Sequence, residues 1–71
     1  MINTYRCIIK REWGNYFIGQ DYNGNKYKIE KNKNLNCKVG NDIYFYALKK
    51  HGLLSTILIP VSDEEAGVRV R

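Results

Sequence analysis

Apolar and polar side chains alternate along several short stretches of this chain, and this pattern is typical of β-strands. The clearest stretch is Lys26 to Lys31, where Tyr27 and Ile29 alternate with charged residues. A second alternating stretch, Asn15 to Gln20, is separated from it by a segment that contains Asn23-Gly24. Because an Asn-Gly step favours the positive backbone angles of a tight turn, the two stretches predict a β-hairpin.

Three more strand-like stretches complete the pattern. Tyr5 to Glu12 precedes the hairpin, while Ile43 to Leu48 and Leu53 to Val61 follow a polar, Asn-rich connection over residues 32 to 38. Residues 49 to 52 are expected to form a loop between the last two strands. Five short strands leave few exposed edges when they close into a barrel. We therefore predict an all-β, five-stranded OB-type barrel over residues 1 to 61, with an SH3-like barrel as the alternative.

The end of the chain has a different character. Ser62 is followed by Glu65 at the spacing of a helix capping box, and Gly67 comes soon afterwards. We predict that residues 62 to 71 form a short C-terminal helical turn or tail.

Alternation also assigns side chains to the two faces of the predicted strands. Phe17 falls on the face opposite Tyr16 and Ile18, and we expect it to point outward. The predicted core consists of Tyr16, Ile18, Tyr27, Ile29, Ile43 and Phe45.

Composition restricts the functions that this chain can perform. A domain of 71 residues has a small core, and its net charge of +5 favours an anionic partner. We find no Ser-His-Asp arrangement and no Gly-rich phosphate loop, so we do not expect an enzyme. Cys7, Cys37 and His51 are too few for a zinc site, and we expect no metal or cofactor. Without a leader-like N-terminus or a membrane-length apolar run, we expect a soluble cytoplasmic protein with reduced thiols.

Two motifs resemble those of a known family. The segments Gly14-Asn15-Tyr16-Phe17-Ile18 and Gly40-Asn41-Asp42-Ile43-Tyr44-Phe45 are similar to motifs of cold-shock domains, which are small OB-fold proteins that bind single-stranded RNA and DNA. The resemblance covers about residues 5 to 60. It implies that Phe17 is a retained base-stacking residue. The chain departs from the family at Asn15, Lys28 and Glu30, where the family has two aromatic residues and a histidine.

These observations predict a non-catalytic barrel that binds single-stranded RNA or DNA. Phe17 is the first candidate for base stacking, and Trp13 is the second unless its ring caps the barrel. Basic side chains are expected to contact phosphates. The predicted nucleic-acid-binding residues are Lys10, Arg11, Trp13, Phe17, Lys26 and Lys28.

The alternative is a protein-interaction module of the same fold, for example an accessory subunit or a phage-type inhibitor. If the cold-shock register holds, Tyr44 and Tyr46 face outward on the fourth strand. Tyrosine combines an apolar ring with a polar tip and is common in interfaces. The partner would then be a protein with an acidic or nucleic-acid-binding surface.

Overall fold

A computed structural model describes residues 2–52, 55–64 and 66–67, and it contains five β-strands. The strands are β1 (Ile2–Trp13), β2 (Tyr16–Gln20), β3 (Lys26–Glu30), β4 (Asp42–His51) and β5 (Thr56–Pro60). No segment in these described ranges forms a helix with the length and apolarity needed to cross a bilayer.

The five strands close into a barrel in the order β1-β2-β3-β5-β4. The long strand β1 closes it, because its first half pairs with β4 and its second half pairs with β2. Strand β3 is antiparallel to β2 and parallel to β5. This arrangement confirms the predicted all-β, OB-type barrel and makes the SH3-like alternative unnecessary.

The predicted strand positions are confirmed, but several boundaries differ. Strand β1 begins at Ile2, three residues earlier than its alternating pattern indicated. Residues 49 to 51 were expected in a loop, and this was wrong because they extend β4 along β5, with His51 opposite Thr56. The predicted start of the fifth strand, Leu53, lies outside the described residues, and β5 begins at Thr56.

Side chains from every strand fill the barrel. The most deeply buried core residues are Ile29, Ala47 and Leu58, which have no exposed surface. Tyr5 and Tyr27 both pack against the core. Their two rings meet each other edge to face, with centroids 5.7 Å apart. From the connection between β3 and β4, Leu35 and Cys37 also pack against the core. Among the described residues, the buried hydrophobic cluster contains Cys7, Ile9, Phe17, Ile29, Phe45, Ala47 and Leu58.

The predicted faces of β2 were wrong. Phe17 is only 7% exposed and lies opposite Ile29, whereas Ile18 lies opposite Lys28. Residues directly opposite each other in an antiparallel pair share one face of the sheet. Since Ile29 points into the barrel, Phe17 must do so as well, and Tyr16 and Ile18 point outward. Phe17 is therefore a core residue and is not available to stack on a base.

Gly19 permits this arrangement of β2. It follows Phe17 on the inner face, and an added Cβ atom would lie 2.7 Å from Cδ1 of Ile29 and 3.1 Å from Cβ of Cys7. Such distances are too short for a side chain without movement of the core. The small residue therefore leaves room for the side chains of Ile29 and Cys7 in the core.

An extra residue in β1 determines which of its side chains face outward. Ile9 pairs with Gly19 and Arg11 pairs with Ile18, so Lys10 is inserted without a partner on β2. This is the geometry of a β-bulge, and it reverses the alternation of the strand. Arg11 and Trp13 consequently lie on the outer face, although simple alternation from the buried Ile9 would have turned them inward.

Asp21 shapes the turn of the predicted hairpin between β2 and β3. Its carboxylate accepts hydrogen bonds from the backbone N–H groups of Asn23 and Asn25, both at 2.9 Å, and from the Tyr27 hydroxyl at 3.2 Å. Only Gly24 of this turn has a positive φ, at 86°. The hairpin is confirmed, but an Asx-type turn closes it and Asn23 contributes no positive φ.

The chain continues past β5 into turns. Ala66 donates a backbone hydrogen bond to the Ser62 carbonyl, and Gly67 donates one to Glu64, each at 3.0 Å. The described part of this segment thus contains a single turn. Glu65, which the predicted capping box requires, lies outside the described residues.

Candidate nucleic-acid interface

The outer face of β2, β3 and the second half of β1 carries most of the predicted binding residues. Directly opposed residues form rows across these three strands. One row contains Arg11, Ile18 and Lys28, and the next contains Trp13, Tyr16 and Glu30. We call this surface the β1-β2-β3 face.

Trp13 and Tyr16 form an aromatic pair at one end of this face. They lie opposite each other on either side of the two-residue turn Gly14-Asn15, and Gly14 has a φ of 59°. A positive φ at the first turn position, followed by a negative one, is typical of a type II′ hairpin. Trp13 is 58% exposed, so its large ring is displayed and does not cap the barrel.

Lys28 lies against both rings of the pair. Its Nζ atom is 4.4 Å from the Trp13 ring centroid and 5.7 Å from that of Tyr16. Both distances fall in the range of cation–π attraction, about 6 Å or less. The half-buried Lys28 side chain therefore connects the aromatic end of the face with its basic centre.

Shallow hollows mark the basic part of the face. One hollow of about 460 Å³ is lined by Lys10, Arg11, Ile18, Gln20 and Lys26. A second, of about 290 Å³, extends from Arg11 and Trp13 past Lys28 to Ser55, beside the start of β5. The aliphatic Ile18 lies between the cations in both hollows. The face thus combines apolar surface with positive charge.

The Lys28 row continues beyond β3. Lys28 pairs with Ile57 on β5, and Ile57 pairs with Lys50 on β4. Cationic and branched apolar residues therefore alternate over all five strands. At about 4.8 Å per strand, the four steps span roughly 19 Å. The complete row is Arg11, Ile18, Lys28, Ile57 and Lys50.

Two carboxylates lie near this surface without neutralising its centre. Glu30 is in the row of Trp13 and Tyr16, at its β3 end. Glu12 forms an ion pair with Lys31 at 3.0 Å, and the Lys31 Nζ lies 5.0 Å from the ring centroid of the buried Phe17. Because Lys31 already has this partner, the cations of the β1-β2-β3 face are Lys10, Arg11, Lys26 and Lys28.

An exposed cluster of Arg6, Asp42 and Tyr22 lies where the β2–β3 turn meets β1 and β4. Arg6 donates two hydrogen bonds to Asp42, at 3.3 and 3.1 Å, and the Tyr22 hydroxyl donates to the same carboxylate. These bonds hold the pKa of Asp42 below its ordinary value, with Arg6 as the largest cause. Since Tyr22 belongs to the β2–β3 turn, the cluster connects that turn with β1 and β4.

Five of the six residues predicted to bind nucleic acid lie on one surface of the barrel. Lys10, Arg11, Trp13, Lys26 and Lys28 line the connected hollows of the β1-β2-β3 face. Phe17 does not join them, because it fills the core. The prediction did not include Tyr16, Ile18 and Gln20, which lie on the same face. The sequence alone carries no signal for them, because the inward orientation of Phe17 follows from its pairing with Ile29 in the folded barrel.

The residues of the alternative site lie on another part of the barrel. Tyr44 is 72% exposed, and Tyr46 is half-buried, so the outward orientation of both is confirmed. On the same outer side, Leu48 of β4 has Ile2 on one neighbouring strand and Ile59 on the other. We call this surface the β4 face.

The titratable groups of the core differ from those of a reactive site. Cys7 and Cys37 are both free thiols, and burial is the main cause that raises the pKa of each, for Cys7 to about 11. Within residues 2–52, 55–64 and 66–67, His, Cys, Asp and Glu side chains form no group of three or more that could hold a metal ion.

The resemblance to cold-shock domains stays a prediction from two sequence motifs. Comparison of the chain with protein-family models, with curated proteins and with solved structures gives no match.

Proposed function

We propose that this protein is a non-catalytic, cytoplasmic binder of single-stranded RNA or DNA with little preference for sequence. One observation carries the proposal: the exposed Trp13 is paired with Tyr16 and adjoins a face that contains Lys10, Arg11, Lys26 and Lys28. Aromatic rings combined with cations along a groove are the general requirements for binding single strands.

The two kinds of side chain would make different contributions. Every base has a flat π-face, so a ring such as Trp13 stacks on any of them, which is worth about 1 to 3 kcal/mol per base. The cations contact phosphates, which are identical at every nucleotide. Both contributions are independent of sequence, and hydrogen bonds to base edges are not needed.

Single strands are favoured over duplexes for a physical reason. In a duplex the bases are already stacked on each other, and their faces are covered. Trp13 and Tyr16 would have to disrupt this stacking before they could contact a base, at a cost of a few kcal/mol. The cations alone would still attract a duplex, but without the aromatic contribution.

Fluorescence anisotropy with a labelled single-stranded oligonucleotide tests the proposal. If the four cations each contact a phosphate, log Kobs should fall with log[salt] with a slope of roughly −3, at about −0.7 per phosphate. Trp13→Ala should weaken binding by about 1 to 3 kcal/mol. Tyr44→Ala is the matched control, because it removes an exposed ring from the β4 face. No binding at low salt, or equal losses in the two variants, would contradict the proposal.

A second candidate function is that of a protein-interaction module. It is favoured by the exposed Tyr44 together with the apolar row of Ile2, Leu48 and Ile59 on the β4 face. Exposed apolar surface of this kind is common in protein interfaces. The partner would be a protein with an acidic or nucleic-acid-binding surface, and the two functions would use separate faces of one barrel.

A further inference from the structure

Lys28 occupies the surface that a base would use. Its ammonium group is 4.4 Å from the centroid of the Trp13 ring, which is the larger and more exposed ring of the pair. A stacked base needs carbon atoms at about 3.5 to 4.0 Å from the ring. The ammonium and a base therefore cannot share this face of Trp13, and a base that stacks there must replace Lys28.

The position of Lys28 allows such a replacement. The strand register puts the backbone of Lys28 between Ile18 on β2 and Ile57 on β5, so the Cα and Cβ atoms of Lys28 are held within the sheet. The ammonium group at the end of its four-carbon side chain makes cation–π contacts with the two rings. Among the described residues it forms no ion pair with a carboxylate. The end of the side chain can turn away while the strand stays in place.

We propose that Lys28 exchanges partners on binding and thereby determines which ligands the site accepts. In the free protein its ammonium lies on Trp13; in the complex a base takes the ring, and the ammonium contacts the phosphate next to that base. This inference rests on the proposed function. An uncharged aromatic ligand would displace Lys28 without offering it a new partner, whereas a nucleotide with its own phosphate compensates for the lost cation–π contact.

Two ligands of one sequence separate this exchange from simpler roles of Lys28. The first is an ordinary phosphodiester oligonucleotide, and the second is its methylphosphonate analogue, which has the same bases and no backbone charge. In Lys28→Met, binding of the phosphodiester should weaken severalfold, while binding of the neutral analogue should strengthen by about two- to fivefold, because no ammonium competes for the ring. Lys26→Met, on the same face, should weaken the phosphodiester and leave the neutral analogue unchanged.

Each other outcome for Lys28→Met overturns the proposal. Unchanged binding of the neutral analogue would mean that Lys28 only contacts phosphate. Weaker binding of both ligands would mean that Lys28 supports the Trp13 ring by packing. Lys28→Arg, which keeps the charge and can lie flat on the ring, should behave like the wild type with both ligands. Equal thermal unfolding midpoints of all variants would show that the fold is preserved.

Nuclear magnetic resonance of the wild-type protein observes the exchange directly. In the free protein the Trp13 ring should shift the signals of the Lys28 ε-methylene upfield, and Trp13→Ala should remove that shift. Saturation with the phosphodiester oligonucleotide should return the signals to ordinary values. A bound state that keeps the upfield shift would overturn the exchange and leave the proposed function intact. Absence of any oligonucleotide binding would overturn the proposed function and the exchange with it.

Discussion

Phe17 lies directly opposite Ile29 in the interior of the barrel, and this pairing puts the neighbouring Tyr16 on the outer surface. The two adjacent aromatic residues therefore have different roles: one stabilises the fold, and the other is available to a ligand. Alternation had assigned Tyr16 to the core and Phe17 to the surface, and the cold-shock resemblance implied that Phe17 stacks on a base. Variants of this pair therefore test the register and the site together.

Phe17→Ala should destabilise the protein by about 3 to 5 kcal/mol, because it leaves a cavity in a small core. Tyr16→Ala should have a much smaller effect on the free energy of unfolding, but it should weaken binding of a single-stranded oligonucleotide by about 1 to 3 kcal/mol. Chemical denaturation and fluorescence anisotropy measure the two effects. Loss of stability in Tyr16→Ala with a stable Phe17→Ala would show that β2 is turned the other way.

The comparison of Tyr16 and Phe17 shows what the sequence could predict and what it could not. Alternation identified the strands and the opposite faces of neighbouring residues, because the period of two is a local property of the backbone. It could not decide which face is the inner one, since Tyr16, Phe17 and Ile18 are all apolar enough for a core. That choice depends on cross-strand pairing with Ile29 and on the space left by Gly19, both of which are properties of the folded barrel.

The second feature that the sequence concealed is the bulge at Lys10. Alternation from Cys7 and Ile9 would turn Arg11 and Trp13 inward, yet the charge of Arg11 favoured an outward position, and for Trp13 the sequence left both display on the surface and capping of the barrel open. The insertion of one residue reconciles the two observations. Bulges change the orientation of side chains without leaving a clear mark on composition or hydropathy.

Deletion of Lys10 should remove the bulge without reversing the faces of the end of β1. Arg11 would then follow the buried Ile9 directly, so regular alternation would still turn Arg11 and Trp13 outward, opposite Ile18 and Tyr16. The bend and extra twist that the bulge gives to β1 would be lost, so we expect a lower thermal unfolding midpoint, while binding of a single-stranded oligonucleotide should persist with a salt slope reduced by about 0.7. Lys10→Ala is the control, because it removes the same charge without changing the register, and it should only reduce the salt slope by about 0.7. Equal thermal midpoints for the deletion and the substitution would contradict a structural role of the bulge.

The Asp21 turn should make the stability of the protein depend on pH in the acidic range. Hydrogen bonds from Asn25 are the largest cause that lowers the pKa of Asp21, and bonds from Asn23 and Tyr27 add to this effect. In the unfolded chain an aspartate has a pKa of about 3.9. At pH values between the folded and the unfolded pKa, the folded protein thus binds fewer protons at Asp21 than the unfolded chain does. The stabilisation is complete well above pH 4 and is lost as the pH falls through the lower pKa of the folded protein.

Asp21→Asn should therefore lower the thermal unfolding midpoint at pH 7. When the pH is lowered from 5 to 2, the midpoint of the variant should fall less than that of the wild type. Circular dichroism at several pH values measures both effects. Some dependence on pH should persist in the variant, because Asp42 also has a lowered pKa beside Arg6. Asp63→Asn, in the turn after β5, serves as a control for the removal of one negative charge. Parallel curves for the wild type and Asp21→Asn would contradict the assigned role of the turn.

Tyr44 provides the test that separates the two proposed functions. Its ring is 72% exposed and lies opposite Arg6 on the β4 face, away from Trp13. Tyr44→Ala should change the free energy of unfolding by no more than about 0.5 kcal/mol, as is usual for surface substitutions. The affinity for a single-stranded oligonucleotide should stay within about threefold of the wild type, a difference below 1 kcal/mol.

If the β4 face anchors a protein partner, Tyr44→Ala should remove that partner from affinity purification, since exposed tyrosines are frequent hot spots. Trp13→Ala should show the reverse pattern, with the partner retained and the oligonucleotide lost. A partner that is lost with Trp13→Ala and retained with Tyr44→Ala would assign protein binding to the β1-β2-β3 face and contradict the separation of the two surfaces.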